Sequence, residues 1–287
     1  MNKIIGLHNI IYEINNLKDP LGHIIFTGPR GSGKTTLAEY IASTRNKKLI
    51  FVTGNTLKKM ELLNIFVSIE EGDVLLIDEI HRLGPAVEEM LYQPMQSFRL
   101  PVKDVSGSFQ IFPLPKFSVI GTTTKSSLIS KPLISRFGLH IQIPHYSVRE
   151  LAQIIMNQHP NLSRKNALYI ALNIITPRDA VNLANRVINL VKNDLNKEIV
   201  PSLEFIGYKY GLSKAERYYL TILHNVGSIS LNSLCSALQL DKDEITFVED
   251  KLIRKRYMHI TSKGRQLTML GILKVKQMNQ KQKVGKV

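Results

Sequence analysis

Short apolar runs alternate with helix-patterned stretches along the first half of the chain. The runs are Ile24–Thr27, Leu49–Thr53, Val74–Ile77, Phe117–Gly121 and Leu139–Ile143. Unbroken apolar runs of this length suit central strands covered on both faces, and helices between them predict a parallel sheet with helices on both sides. The expected fold class for residues 1–146 is therefore α/β. Between the third and fourth runs, residues 100–112 carry two short extended pieces around a polar, Gly-bearing turn. That pattern predicts a β-hairpin standing off the domain.

Beyond Pro144 the pattern turns wholly helical. Ser147 caps a helix over Val148–Gln158, a second covers Leu162–Ile175, and Pro177 opens a third over Arg178–Lys192 with Val181, Ala184, Val187, Ile188 and Val191 on one face. These make a small all-α lid at 147–200, closed by a polar connector over 193–201. A third unit follows at 201–273. Ser213 opens Lys214–Asn225, Ser230 opens Leu231–Leu238, and Asp241 with Glu244 forms a capping-box signature for Ile245–Lys255. Extended runs Tyr257–Thr261 and Gln266–Met269 then flank the turn Ser262-Lys263-Gly264-Arg265. Three helices and a hairpin in this order are the layout of a winged helix. Lys251, Arg254 and Lys255 would enter a groove of DNA while Lys263 and Arg265 touch phosphate. Residues 274–287 are left as a basic tail.

The chemistry lies in two segments of the first domain. Gly28 to Thr35 reads G-P-R-G-S-G-K-T between an apolar run and a helix pattern, which predicts a phosphate-binding loop at a helix N-terminus. Gly28, Gly31 and Gly33 let successive N–H groups turn inward on a triphosphate, with Ser32 and Thr36 in the same stretch. Lys34 supplies a point charge and the Thr35 hydroxyl a ligand for Mg²⁺. Asp78 and Glu79 follow the third run, at the carboxyl edge of the sheet where α/β folds bind ligands. Asp78 is assigned to Mg²⁺ and Glu79 to polarising the attacking water, so the expected ligands are ATP and Mg²⁺.

Charge adds a partner. The chain carries 38 Lys and Arg against 23 Asp and Glu, a net charge of +15, which points to a polyanion. From Lys251 to Val287 there are many cations and no acidic residue, so DNA is favoured over a membrane surface. No apolar stretch approaches the ~18 residues of a membrane span, and the start lacks the apolar core of a signal peptide, so a cytoplasmic protein is expected. The single Cys235 excludes an internal disulfide and reads as a small core residue.

Taken in order, these segments resemble the RuvB family of ring-forming AAA+ motors that drive branch migration of Holliday junctions. The resemblance runs from Gly6 to about Gly271. It is carried by Gly28 through Ala38, Ile77-Asp78-Glu79-Ile80-His81-Arg82-Leu83, Ile120 through Lys125, Ser135-Arg136-Phe137-Gly138, Thr176-Pro177-Arg178 and Asn185-Arg186. It implies that Thr124, with Thr123 the competing choice, is the sensor 1 hydroxyl beside the acidic pair. It also implies that Arg178 is the sensor 2 cation of the lid and Arg136 an arginine finger donated to a neighbouring subunit. The assembly would be a homo-oligomer, in the family a hexamer, with the hairpin at 102–112 engaging a RuvA-like protein and the winged helix gripping duplex arms of a four-way junction.

Several positions depart from the family pattern. The chain begins close to Ile5-Gly6, where relatives carry a longer arm that helps form the adenine pocket. Arg30 and Ser32 replace apolar loop residues, Lys125 replaces Arg, and Ser262-Lys263-Gly264-Arg265 stands for Pro-Arg-Gly-Arg. Two other functions fit the motifs. One is a different AAA+ DNA-acting ATPase, clamp-loader-like or initiator-like, which predicts no junction preference. The other is a nucleotide-gated DNA-binding switch with weak turnover, opposed by the presence of Glu79 and Arg136.

Overall fold

The computed structural model describes residues 4–18, 21–103, 108–191, 194–262 and 264–284. It divides into two compact units, Met1–Tyr146 with Thr176–Arg178, and Ser147–Ile175 with Asp179–Val287.

In the first unit the strands are β1 (Ile24–Thr27), β2 (Leu49–Thr53), β3 (Val74–Asp78), the hairpin pair β4 (Arg99–Lys103) and β5 (Phe109–Pro113), β6 (Ser118–Thr123) and β7 (Leu139–Gln142). Five of them form a parallel sheet in the order β2-β3-β6-β1-β7. Successive side chains of a strand point to opposite faces, so each apolar run feeds two cores. Ile25, Leu75, Ile77 and Val119 pack on one face with Leu62, Phe66, Leu91 and Met95 from the helices Lys59–Ser68 and Pro85–Ser97. Ile24, Phe26, Val74, Leu76 and Ile120 pack on the other with Leu37, Ala38 and Ile41 of the helix Lys34–Thr44. Unbroken apolar sequence was required because both faces are covered.

The hairpin is a separate two-stranded sheet, with Leu100 opposite Phe112 and Val102 opposite Gln110. Leu100 is buried while Ile111 and Phe112 are exposed. Its turn at 104–107 lies outside the described residues.

The second unit begins with the helix Val148–Gln158, where Ser147 and Glu150 form a capping box, followed by Arg164–Ala171, capped by Ser163. The helix Pro177–Ile188 is shorter than the stretch expected from its apolar spacing. The segment read as a polar connector is instead largely the helix Leu195–Phe205. Asp194 accepts from the Lys197 N–H at 3.3 Å and its own N–H donates to Glu198 at 3.2 Å, which supplies a start signal. Pro201 lies inside this helix, but Ile199 and Leu203 bury on either side of it, and that packing offsets one missing hydrogen bond. The sequence boundary at 200/201 therefore cuts a helix.

The winged helix follows as expected: helices Lys214–Val226, Leu231–Leu238 and Lys242–Arg254, then β8 (Met258–Thr261) paired with β9 (Gly264–Leu267). Residues set apart as a basic tail form most of a helix, Met269–Val284. Val275 and Met278 sit in the same core as Leu220, Leu223 and Leu252. Their i, i+3 pair was hidden among lysines.

His23 ties the sheet to a helix end. The Val119 N–H donates to its Nδ1 at 2.9 Å, so Nε2 carries the proton toward the Met95 carbonyl at 2.8 Å. Burial pushes its pKa below the ordinary 6.5, opposed by the bond to Met95. A depressed histidine contributes stability that is complete above the unfolded value and is lost as pH falls through the folded one. Chemical denaturation at pH 8, 6 and 5 should show the wild type losing stability toward acid. His23→Gln should have a shallower slope, and an equal slope would remove His23 from the effect.

Candidate functional site

The phosphate loop leaves β1 and enters the helix Lys34–Thr44, with Gly31 at φ +78° and Gly33 at φ +95°. At Gly31 glycine is needed twice over, because a Cβ there would lie 2.8 Å from the Cβ of Arg178. The Arg178 N–H donates to the Gly31 carbonyl at 3.2 Å, so this expected sensor 2 residue is pinned to the loop. Lys34 is buried and donates to the Gly28 and Pro29 carbonyls, each at 2.9 Å. Burial lowers its pKa, while the nearby Glu79 and Asp78 raise it and Arg178 lowers it. Tyr146, which sequence reasoning did not single out, donates its hydroxyl to the Ser32 carbonyl at 3.0 Å and braces the loop. The buried Ser32 hydroxyl has no partner among the described residues. An ammonium engaging its own loop and an orphaned hydroxyl fit a site shaped for phosphate oxygens.

The acidic pair lies at the end of β3. Asp78 accepts a short hydrogen bond from Thr122 at the end of β6. Glu79 has φ +52°, a conformation that non-glycine residues rarely hold and that is concentrated at functional sites. Gly54 makes room for it: its N–H donates to the Asp78 carbonyl at 2.8 Å, and a Cβ there would meet the Glu79 carbonyl oxygen at 2.5 Å.

Three consecutive threonines serve this pair differently. Thr124 donates to Glu79 Oε2 at 3.4 Å. Thr123 accepts from the Lys125 N–H at 2.9 Å and lies 2.9 Å from His81 Nδ1. His81 Nε2 faces the carboxylate oxygen Glu79 Oε2 at 3.3 Å, an acceptor that places the ring proton on Nε2 and leaves Nδ1 to accept from Thr123. Burial lowers the His81 pKa against the pull of Glu79, so the ring is neutral at physiological pH. Thr124 reaches Glu79 directly and Thr123 reaches it through His81. His81 stood in the motif without a role; only the fold gives it one.

Arg136 lies just past the short helix Lys131–Ile134. Its Nε donates to the Tyr92 carbonyl at 3.1 Å, Nη1 to the Pro132 carbonyl at 2.5 Å and Nη2 to Gln96 at 3.4 Å. None of these partners belongs to the phosphate loop or the acidic pair of its own chain.

The cations expected on DNA are placed differently from expectation. Lys251 is buried with its Nζ 4.5 Å from the centre of the Phe247 ring. Lys255 donates to the Gly211 carbonyl at 2.8 Å and lies 3.5 Å from the fully buried Glu216, and burial lowers its pKa. Arg254 pairs with Asp250 at 2.7 Å. Arg265 meets Glu249 at 2.5 Å, and Tyr219 donates to the same carboxylate at 2.7 Å. Lys263 lies outside the described residues. Buried carboxylates need cations, and spacing along the chain does not reveal which cations they take. Lys214, Lys242, Arg256 and Lys276 are exposed instead.

Residues 6–143 match the family model described as Holliday junction DNA helicase RuvB P-loop domain, and residues 209–276 match the RuvB C-terminal winged helix domain. A curated relative, the Holliday junction branch migration complex subunit RuvB of Nitratiruptor sp., is 36% identical across 88% of this chain and 80% of its own. This chain belongs to the RuvB family. The RuvB of Mesomycoplasma hyopneumoniae is 35% identical over 92% of this chain and 89% of its own. The solved Thermotoga maritima RuvB Holliday junction branch migration motor superposes with a TM-score of 0.77 at 30% identity, covering 95% of each chain. The fold, the P-loop ATPase domain and the winged helix are thus those of RuvB proteins.

The placement of Arg265 can be checked directly. Arg265→Ala strands a buried carboxylate and should cost about 3–5 kcal/mol in denaturant unfolding. A residue whose role was confined to phosphate would leave the midpoint unchanged.

Proposed function

We propose that this chain is an ATP-driven motor for branch migration of Holliday junctions in recombination and repair, working in the cytoplasm as a hexameric ring with a RuvA-like partner. The reading is carried by the convergence, at one edge of the sheet of a RuvB-family chain, of the phosphate loop, Asp78 and Glu79, and the threonines that end β6. The N–H groups of Gly31, Gly33, Lys34, Thr35 and Thr36 and the Lys34 ammonium hold the triphosphate of ATP, with Gly28 and Ser32 shaping the loop around it. Thr35 and Asp78 are the ligands for Mg²⁺, which would neutralise phosphate charge when bound. Glu79 orients the attacking water, steered by Thr124 and by the neutral His81. Arg178, bonded to the loop through its backbone, relates the angle of the lid to the state of the nucleotide. Arg136 serves the site of the next subunit.

Contact with DNA falls to exposed cations of the second unit, among them Lys242, Arg256 and Lys276, together with Lys263. The hairpin at 102–112, with Ile111 and Phe112 exposed, offers an apolar surface to the RuvA-like protein.

The test is an ATPase and branch-migration assay on a synthetic four-way junction with a cognate RuvA-like protein. Glu79→Gln should bind ATP and assemble yet leave the junction unmoved, and migration at the wild-type rate would refute the mechanism. Affinity for duplex DNA should fall by about 10³ to 10⁵ between 50 and 200 mM salt if 6–10 phosphates are contacted. A salt-independent complex would contradict binding through cations.

A further inference from the structure

We infer that Tyr92 is the positioning residue for Arg136, a seat that aims the guanidinium before a neighbouring subunit arrives. The inference rests on the reading of Arg136 as a finger acting in trans. The guanidinium carbon lies 4.3 Å from the centre of the Tyr92 ring, within the range where an aromatic face attracts a cation. Its Nε donates to the carbonyl of the same residue at 3.1 Å, so Tyr92 holds Arg136 by ring and backbone together.

The seat is itself fixed. The Tyr92 hydroxyl donates to Glu88 Oε1 at 2.7 Å, one helical turn earlier on the helix Pro85–Ser97. Ser130 donates a short hydrogen bond to the same oxygen, and its hydroxyl also caps the helix Lys131–Ile134 by accepting from the Leu133 N–H at 3.2 Å. One carboxylate therefore ties the ring beneath Arg136 to the start of the helix that ends beside Arg136. Both ends of the finger are referred to a single point, Glu88.

Holding costs the guanidinium little of its function. Three of its five N–H groups are engaged, by Tyr92, Pro132 and Gln96, which leaves two for an anion presented from outside the chain. A flexible arginine would spread its charge over many rotamers, whereas this one meets a phosphate in a set direction. Preorganised charge is what lowers a barrier.

The experiment uses the full chain with junction DNA and its RuvA-like partner, and compares Tyr92→Leu, Tyr92→Phe and Arg136→Ala. Tyr92→Leu keeps volume but loses the aromatic face and the hydroxyl; its kcat should fall about tenfold to a hundredfold, the cost of a small misplacement. ATP affinity and ring assembly should be unchanged. Tyr92→Phe keeps the face and should lose less. Mixing Tyr92→Leu with Lys34→Ala subunits should restore hydrolysis at the Tyr92→Leu loops, because the Lys34→Ala neighbours donate intact fingers. Damage to the variant's own nucleotide site would not be rescued in this way, so a deficit without rescue overturns the inference, as does wild-type kcat in Tyr92→Leu. The same mixing with Arg136→Ala separates the two readings. No rescue there refutes the trans finger and the seat with it, whereas rescue there with wild-type Tyr92→Leu refutes the seat alone.

Discussion

The parallel pairing of β3, β6 and β1 is the constraint on which the rest depends. Ile77 and Ile25 both register with Gly121, so the three strands end level and their carboxyl ends form one edge. That alignment puts the loop after Thr27, the carboxylates of Asp78 and Glu79, and Thr122 to Thr124 side by side although they are far apart in sequence. The pairing is enforced by burial on both faces, since a shift of one residue would carry every side chain to the wrong core. A site assembled this way inherits the rigidity of the sheet. The left-handed Glu79 and the close approach at Gly54 are local concessions that the flanking strands hold in place.

Charge is handled in opposite ways in the two units. At the sheet edge the charges of Glu79, Asp78 and Arg178 all act on the Lys34 ammonium, and the buried Ser32 hydroxyl has no partner among the described residues. In the winged helix the cations are already matched, Arg265 to Glu249 and Lys255 to Glu216, with those carboxylates nearly or wholly buried. Their work there is to hold wing and helices together. The positive surface of this unit comes from other lysines and arginines, so a count of cations overstates it.

The strands, the capped helices and the phosphate loop were legible because each is a local property. All five central strands lie within two residues of their apolar runs at both ends, and the capping boxes at Ser147, Ser213 and Asp241 mark their helices. The helix at Leu195–Phe205 was obscured by Pro201, and the last helix by its lysines, since in both the deciding fact is burial of two apolar side chains against distant residues.

The sequence by itself determined that a triphosphate loop, an acidic pair and a winged helix occur in a RuvB-like order, because glycine, apolar periodicity and caps act over a few residues. Tertiary structure alone decided what each charge does. His81 becomes a neutral donor to Glu79, Arg136 lies on Tyr92, and Arg265 is spent on Glu249. The physical reason is that the state and direction of an ionisable side chain are set by burial and by partners tens of residues away, and neither is written in the spacing of the chain.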